Sequence, residues 1–359
     1  MANRSEASAA HPHGSSTAPG PRGSWLARGR EGRFSLYLPR DGEVVRWTEG
    51  VDGGWSGPVS LGGGGALLPG LSVGQGADGY VHLVGVRPVA DGEPDHVELV
   101  HTTQYQTGRP AVEWRSITHP NGASYRWTGT PSVAVDGIGR AYVFCRNGGG
   151  GVSVRAQKDA GGWHPWWDLL GSRTDSLPVA VTNGSGLVEL YSSHAAGLVR
   201  YVQRESGAKP IREELLPASV SMGTLAAVRG PSGHVTAFYV DEERRVCAWS
   251  PERSLKPTPL ADAVGTGPLT AARCLVDGAD HTLIAQCDAS GRTAFAAYPA
   301  EWEVAGLRWS PSGPAVQAAP VLTNDASGGV VAAAVAAGEP VVARQESGPG
   351  FALGAWTRI

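Results

Sequence analysis

The side chains best suited to chemistry in this sequence recur at one position of an internal repeat, eight residues after a turn glycine. His194 and Asp241 occupy this position in neighbouring units, and Tyr239 lies two residues before Asp241. A histidine beside a carboxylate can transfer protons, and a tyrosine can donate a proton or a hydrogen bond. His194, Asp241 and Tyr239 are therefore the candidate catalytic residues.

The same repeat position carries polar or charged groups in most other units. From the first unit to the seventh it reads Arg40, Arg87, Asn147, His194, Asp241, Asp288 and Ala337. If these side chains meet at the central mouth of a ring, the two arginines would bind a carboxylate of a small polar ligand. The candidate ligand-binding residues are Arg40, Arg87, Asn147, Asp288, Arg126 and Asp175. Polar residues are also usual where turns meet solvent, so a purely structural explanation stays open.

The repeat itself predicts the fold. Gly139, Gly186 and Gly233 are 47 residues apart, and each lies in a turn between two apolar strands. Two further strands follow in each unit, and seven units fit between Trp25 and Ile359. A four-stranded unit cannot cover both of its faces, whereas neighbours in a ring cover one another. The sequence therefore predicts an all-β, seven-bladed β-propeller of four-stranded antiparallel blades, whose last outer strand is the C-terminal GAWTRI.

Composition and charge exclude several partners. The 359 residues include 51 glycines and 26 prolines, which favours short strands and tight turns over helices. The net charge is −3 and no basic block is present, so we expect no binding to nucleic acid or to a membrane surface. No stretch of about 18 apolar residues occurs that would span a bilayer. We also predict no metal site and no cofactor.

The N-terminal segment is polar and lacks the apolar core of a signal peptide. We expect residues 1–23 to be a disordered tail, followed by a single propeller domain over residues 24–359. The absence of a recognisable signal and the four cysteines, none in a C-x-x-C pair, favour a cytoplasmic location with free thiols.

Two stretches resemble a known family. "DGEVVRWTEGVDGGWSGPVSLGG" (41–63) and "GGWHPWWDLLG" (161–171) are similar to the repeat units of bacterial seven-bladed, fucose-binding lectin propellers, which are related to tectonin-type propellers. The resemblance implies sugar sites between blades, where tryptophans and polar side chains contact the sugar. It also implies that several such sites are lost here, because the tryptophans are concentrated in the first three blades: Trp47, Trp55, Trp114, Trp127, Trp163, Trp166 and Trp167.

The sequence thus favours a lectin-like propeller that binds a carbohydrate or another small polar ligand. One alternative is a cytoplasmic enzyme, a lyase, cyclase or hydrolase of specialised metabolism, with a single active site at the central mouth. A scaffold that binds another protein is a third possibility, because fold alone does not decide function. Neither catalysis nor the oligomeric state follows from the sequence.

Overall fold

The computed structural model describes residues 21–63, 65–89, 96–120, 128–171, 173–174, 178–316 and 318–359. Within these ranges the chain forms seven antiparallel sheets and one short 3-10 helix, η1, at Glu303–Ala305. None of the helical segments described is long and apolar enough to cross a membrane. The predicted seven-bladed β-propeller of four-stranded blades is confirmed. Residues 1–20, most of the predicted tail, lie outside the described residues.

Each sheet is one blade, and its strands follow one another in chain order from the centre outwards. Blade one contains β2 (Leu26–Arg28), β3 (Phe34–Arg40), β4 (Glu43–Glu49) and β5 (Trp55–Ser60). Blade two contains β6 (Ser72–Gln75), β7 (Val81–Pro88), β8 (Val97–Gln104) and β9 (Arg115–Thr118). Blade three contains β10 (Ser132–Val135), β11 (Ala141–Arg146), β12 (Val152–Ala156) and β13 (Trp167–Asp168). Blade four contains β14 (Val179–Thr182), β15 (Val188–His194), β16 (Gly197–Val202) and β17 (Ile211–Leu216).

The remaining three blades follow the same plan. Blade five contains β18 (Ala226–Arg229), β19 (Val235–Val240), β20 (Arg245–Trp249) and β21 (Thr258–Asp262). Blade six contains β22 (Thr270–Val276), β23 (Ala279–Cys287), β24 (Arg292–Pro299) and β25 (Ser310–Ala315). Blade seven contains β26 (Val321–Asn324), β27 (Val330–Ala336), β28 (Glu339–Arg344) and β29 (Thr357–Arg358). Because β29 comes from the C-terminal segment, the ring closes without exchange of a strand, as predicted.

The two middle strands of each blade form the core. Every residue of β16 and of β19 is buried, on both faces of the sheet, because the neighbouring blades cover them. The outermost strands β5 and β9 are mostly exposed. Burial on two sides explains why the middle strands carry apolar residues on both faces, and it makes each blade dependent on its neighbours.

A two-residue strand, β1 (Arg22–Gly23), precedes blade one and pairs in parallel with the inner strand of blade two. The backbone N–H groups of Arg22 and Ser24 donate to the carbonyls of Leu71 and Val73, at 2.7 Å each. The chain therefore crosses from blade two to blade one before β2 begins. Arg22 and Gly23 belong to the segment for which the sequence predicts a tail.

The repeat glycines connect neighbouring blades. The N–H of Gly137 donates to the carbonyl of Gly186, and the N–H of Gly184 donates to the carbonyl of Gly233, at 2.8 Å each. A Cβ atom on Gly184 would lie 2.5 Å from the Cα of Gly233, which is closer than side chains and backbone can approach. Glycine is therefore required here by the close approach of two turns.

Glutamines just after the third strand also tie blades four and seven to the blade before each. Gln203 accepts a hydrogen bond from the N–H of Val188 at 2.9 Å in its own blade and donates to the hydroxyl of Tyr142 in blade three at 2.7 Å. Gln345 likewise accepts from the N–H of Val330 at 3.0 Å and donates to the carbonyl of Leu275 in blade six at 2.8 Å. A buried amide that bridges two blades fixes their spacing because each of its polar atoms needs a partner.

Glu49 stands at the corresponding position of blade one and joins the first blade to the last. Its carboxylate accepts a hydrogen bond from the N–H of Phe34 at 3.1 Å and forms an ion pair with Arg344 of blade seven. The ionic contact replaces the amide bridge at the place where the ring closes.

A pair of histidines is buried in blade two. Nδ1 of His82 and Nε2 of His101 lie 3.0 Å apart, and the two residues are only 3% and 7% exposed. The ring of His101 meets that of Trp163 from blade three edge to face, and Nε2 of His82 has no hydrogen-bond partner among the described residues. Burial lowers the pKa of His82 to about 4 and that of His101 to about 3, where the nearby His82 also contributes.

These histidines should make the fold sensitive to acid. Their folded pKa values lie below the usual value near 6.5, so the unfolded chain binds more protons, and stability should fall as the pH drops from about 6.5 towards 4. At pH 5 we expect a loss on the order of 1–2 kcal/mol for each histidine, measured by denaturant titration.

A His101→Phe variant should show a smaller loss between pH 7 and pH 5, whereas replacing the exposed His234 with Gln should leave the pH dependence unchanged. A wild-type protein that is equally stable at both pH values would contradict this account of the histidine pair.

The contact between turns yields a second test. Gly184→Ala should destabilise the protein by about 1–3 kcal/mol, because the added methyl group collides with the backbone of Gly233. Gly267→Ala is the matched control, since nothing lies within 4 Å of a Cβ atom at that position, and it should change stability by less than about 0.5 kcal/mol. Equal thermal stability of the two variants would show that the turns do not hold adjacent blades together.

Candidate functional site

The predicted polar column lies in the turns between the second and third strands, and its members close those turns. Asn147 is only 4% exposed. Its side-chain oxygen accepts hydrogen bonds from the N–H groups of Gly149 and Gly151 at 3.0 Å each, and its amide donates to Ser153 at 3.2 Å and to Asp168 at 3.3 Å. This side chain uses its hydrogen-bonding capacity within its own blade.

The acidic members of the column have the same role. Asp241 accepts from the backbone N–H of Arg245 at 2.8 Å and from its guanidinium at 2.9 Å. Burial alone would raise the pKa of Asp241, but the hydrogen bonds from Arg245 bring it below the usual value. Asp288 accepts from the N–H groups of Ser290 at 2.8 Å and Arg292 at 3.0 Å, and the Ser290 hydroxyl lowers its pKa. Both carboxylates are thus held as anions by their own turns.

His194 and Tyr239 have separate environments. Nδ1 of His194 accepts a hydrogen bond from the N–H of Ala196 at 3.1 Å, and its backbone pairs with that of Thr174 from the preceding segment. Tyr239 is 1% exposed and packs in an apolar cluster, where burial raises its pKa, so it is a poor proton donor. Across the described ranges no hydrogen bond joins His194, Asp241 and Tyr239 to one another.

The two arginines of the column are also engaged. Arg40 donates to the carbonyl of Gly338 at 3.1 Å, which brings it to the turn of blade seven that contains Ala337. Arg87 forms an ion pair with Glu98 at 2.7 Å. Arg126 and Asp175 lie outside the described residues. A single ligand site formed by the column therefore stays a prediction, and the structure gives each described member a local structural role.

Two clefts open on the opposite face of the ring. Successive turns of an antiparallel blade alternate between its two ends, so the first and third turns lie on the face away from the polar column. One cleft, of about 510 Å³, lies between blades one and two. The other, of about 460 Å³, lies between blades four and five. Both volumes fall in the range of small-molecule sites.

The cleft between blades one and two combines an aromatic ring with several charged groups. It is lined by Gly29, Arg30, Glu31, Arg33, Gly79, Tyr105, Gln106, Thr107 and Arg109. Tyr105 is 52% exposed, and its ring meets that of Tyr80 edge to face, with the ring centroids 4.8 Å apart. The contact with Tyr80 orients the Tyr105 ring and leaves much of it free for a ligand.

The one carboxylate in this cleft is held by neighbouring donors. Glu31 forms an ion pair with Arg33 at 3.2 Å. Burial would raise the pKa of Glu31, but hydrogen bonds from Thr107 and Arg33 lower it below the usual value. A Cβ atom on Gly29 would lie 1.9 Å from the hydroxyl of Thr107, so a larger residue here would displace the Thr107 and Glu31 side chains.

A buried arginine supports the floor of the cleft. Arg46, on the third strand of blade one, donates to the carbonyls of Arg109 at 2.6 Å and Gly108 at 3.2 Å in blade two. Gln104 also donates to the carbonyl of Arg109 at 2.6 Å. These bonds fix the loop that carries Tyr105 and Arg109, so the cleft is preformed.

The cleft between blades four and five has the same position but a different chemistry. Its walls include Asn183, Glu189, Arg229, His234, Glu252 and Arg273, and the described lining contains no Trp, Tyr or Phe. Glu189 and Glu252 both pair with the buried Arg200, and Arg273 pairs with Asp280. Most of its charges are therefore neutralised within the protein.

Three tryptophans of the outer strands hold blades together. The indole N–H of Trp114 donates to the carbonyl of Leu61, and that of Trp309 donates to the carbonyl of Asp262, at 2.8 Å each. Trp166 donates to the carbonyl of Ile117 at 3.2 Å. In each case the acceptor belongs to the preceding blade. Of the tryptophans in the first three blades, Trp114 and Trp166 thus contribute to blade packing, and Trp127 lies outside the described residues.

Sequence reasoning missed the residues of both clefts. Tyr105, Thr107 and Arg109 follow the third strand of blade two, where the units have no common pattern. The available signal was their position just after Gln104, which ends the third strand of blade two, much as Gln203 and Gln345 directly follow theirs. The resemblance to lectin propellers placed sugar sites between blades, and the two clefts lie there.

Comparison with solved structures shows which proteins share this fold. No family model and no curated protein matches the sequence. The BP39L lectin from Burkholderia pseudomallei is 15% identical, with a TM-score of 0.69 over 91% of this chain and 97% of that one. A complex of the Aleuria aurantia lectin with Fucα1-6GlcNAc is 13% identical, with a TM-score of 0.51 over 81% and 96%.

A protein from Bacteroides uniformis, to which 6-phosphogluconolactonase activity has been ascribed, is similar as well. It is 17% identical, with a TM-score of 0.57 over 91% of this chain and 93% of that one. At these sequence identities, the structural similarities establish the class of fold, a β-propeller. They confirm the resemblance of this chain to the lectin propellers at the level of the fold.

The capping role of the column can be measured at Asn147. Asn147→Ala should lower the free energy of unfolding by about 1–3 kcal/mol, because the buried N–H of Gly151 and the more exposed N–H of Gly149 lose their acceptor. Asp288→Ala, at the equivalent and more exposed position, should cost less because water replaces the carboxylate. An Asn147→Ala protein as stable as the wild type would contradict the structural role of this position.

Proposed function

We propose that the protein is a lectin-like propeller that binds a carbohydrate in the cleft between blades one and two. The observation that carries the proposal is the half-exposed ring of Tyr105, fixed by Tyr80, beside guanidinium and carboxylate groups. A sugar presents an apolar face of C–H groups and a rim of hydroxyls. An aromatic ring accepts the face, and charged donors and acceptors bind the rim.

Two further features support binding at this cleft. The cleft is held open by the Arg46 and Gln104 hydrogen bonds, so little ordering free energy is lost when a ligand enters. The lectins from Burkholderia pseudomallei and Aleuria aurantia share the fold, and the second was solved with a fucose-containing disaccharide. The preformed cleft and the shared fold both support a glycan ligand for this chain.

The geometry of the central mouth argues against catalysis there and favours a binding function. Asp241 is held as an anion by Arg245, and Tyr239 is buried with a raised pKa, so neither is poised for proton transfer with His194. We therefore place the ligand between blades rather than at the column.

A Tyr105→Ala variant tests the proposal. It should lose sugar affinity by about tenfold or more, since burying one aromatic face contributes on the order of 1–2 kcal/mol. Binding is measured on a glycan array and then by calorimetry with the best-bound glycan. Trp302→Ala is the matched control, because Trp302 is 59% exposed but does not line the cleft.

An array with no bound glycan would refute the lectin-like function. Equal losses in the Tyr105 and Trp302 variants would refute the assignment to this cleft.

A further inference from the structure

The charges that line the cleft between blades one and two are unbalanced. Three arginines, Arg30, Arg33 and Arg109, face one glutamate, Glu31, so the lining carries a formal charge of +2. The protein as a whole carries −3. The positive charge is therefore local to the cleft, where it attracts an anionic group of a ligand.

The three arginines differ in whether their guanidinium groups are already bonded within the protein. Arg33 is occupied, because it binds Glu31 at 3.2 Å and the carbonyl of Glu49 at 3.4 Å. The guanidinium groups of Arg30 and Arg109 are exposed, and neither has a hydrogen bond or an ion pair to any residue that the structure describes. Glu31 is already bound by Arg33 and Thr107, so it does not compensate for them.

The cleft between blades four and five provides a contrast within the same molecule. Its charged lining consists of Glu189, Glu252, Arg229 and Arg273, so the formal charge is zero with His234 neutral. Its carboxylates are bound by Arg200. Arg229 is the one lining arginine without a described partner there, whereas two such arginines, Arg30 and Arg109, lie in the cleft that also carries the aromatic ring.

We propose that the cleft between blades one and two selects glycans with an anionic group, a carboxylate or a sulfate ester, which Arg30 and Arg109 bind while Tyr105 contacts the sugar ring. This inference rests on the proposed lectin-like function and names its ligand class. A guanidinium presents paired N–H donors that match the oxygens of a carboxylate, and such charge-assisted hydrogen bonds are stronger than those to a neutral hydroxyl. Two unpaired guanidiniums at one cleft thus favour an acidic sugar over its neutral counterpart.

The position of Arg30 also depends on its neighbour in blade two. A Cβ atom on Gly79 would lie 3.0 Å from Cγ of Arg30, so the arginine stem passes close over the glycine. The backbone of Arg109 is fixed by Arg46 and Gln104. Arg30 from blade one and Arg109 from a fixed loop of blade two therefore line the cleft from the two sides of the blade boundary.

The test uses the full-length protein on an array of neutral, uronate-containing, sialylated and sulfated glycans. Acidic glycans should be the best-bound class, and comparison of uronates with sulfated sugars separates the two anionic groups. Calorimetry then compares the best acidic glycan with its neutral form, a methyl ester for a carboxylate or the desulfated sugar. The acidic form should bind about tenfold more tightly or better.

Variants locate the effect. Arg30→Gln and Arg109→Gln should each weaken binding of the acidic glycan by about tenfold and binding of its neutral form much less, because a glutamine amide still donates hydrogen bonds to hydroxyls. Arg229→Gln makes the same change of charge in the other cleft and should have no effect. High salt should weaken binding of the acidic glycan by wild-type protein much more than binding by the double variant.

The outcomes distinguish this inference from the proposed function. If neutral glycans bind through Tyr105 as tightly as acidic ones, and the arginine variants bind the acidic glycans as the wild type does, the anionic selectivity is refuted and the lectin-like function stands. If loss of acidic binding follows Arg229 rather than Arg30 and Arg109, the assigned cleft is wrong. If no glycan binds, the proposed function and this inference both fail.

Discussion

Every blade of this propeller depends on the contact it makes with the next blade. The middle strands are buried on both faces, and only a neighbouring sheet removes both faces from water. That requirement accounts for the glycine turns that touch across blades, for the glutamines at the ends of the third strands, and for the Glu49–Arg344 pair that closes the ring. The cleft proposed to bind a ligand is a gap in this same boundary.

The boundary between blades explains why structural and ligand-binding residues lie so close together. Arg46 and Gln104 fix the loop of blade two, and the exposed side chains of that loop, Tyr105 and Arg109, face the cleft. Buried polar groups must be satisfied, so the supporting side chains are bound within the protein. The exposed guanidiniums carry no such requirement, and they are available to an incoming ligand.

The sequence predicted the fold well because a repeat is visible in a single chain. The interval of 47 residues between Gly139, Gly186 and Gly233 reflects a backbone contact repeated from blade to blade, and GAWTRI was correctly assigned to the last strand. The candidate site was less accessible. Periodicity placed Asn147 and Asp241 at equivalent turns, but it cannot distinguish a side chain that caps its turn from one that faces a ligand. The cleft residues come from two blades and from loops that do not repeat, so no interval in the sequence connects Arg30 with Arg109.

The central claim is that the ligand lies between blades one and two and not at the mouth formed by the polar column. A crystal structure of the full-length protein with its best-bound acidic glycan tests it most directly. The account predicts a sugar ring against Tyr105, with its anionic group within hydrogen-bonding distance of Arg30 and Arg109. A glycan bound on the opposite face, in contact with His194 and Asp241, would contradict it.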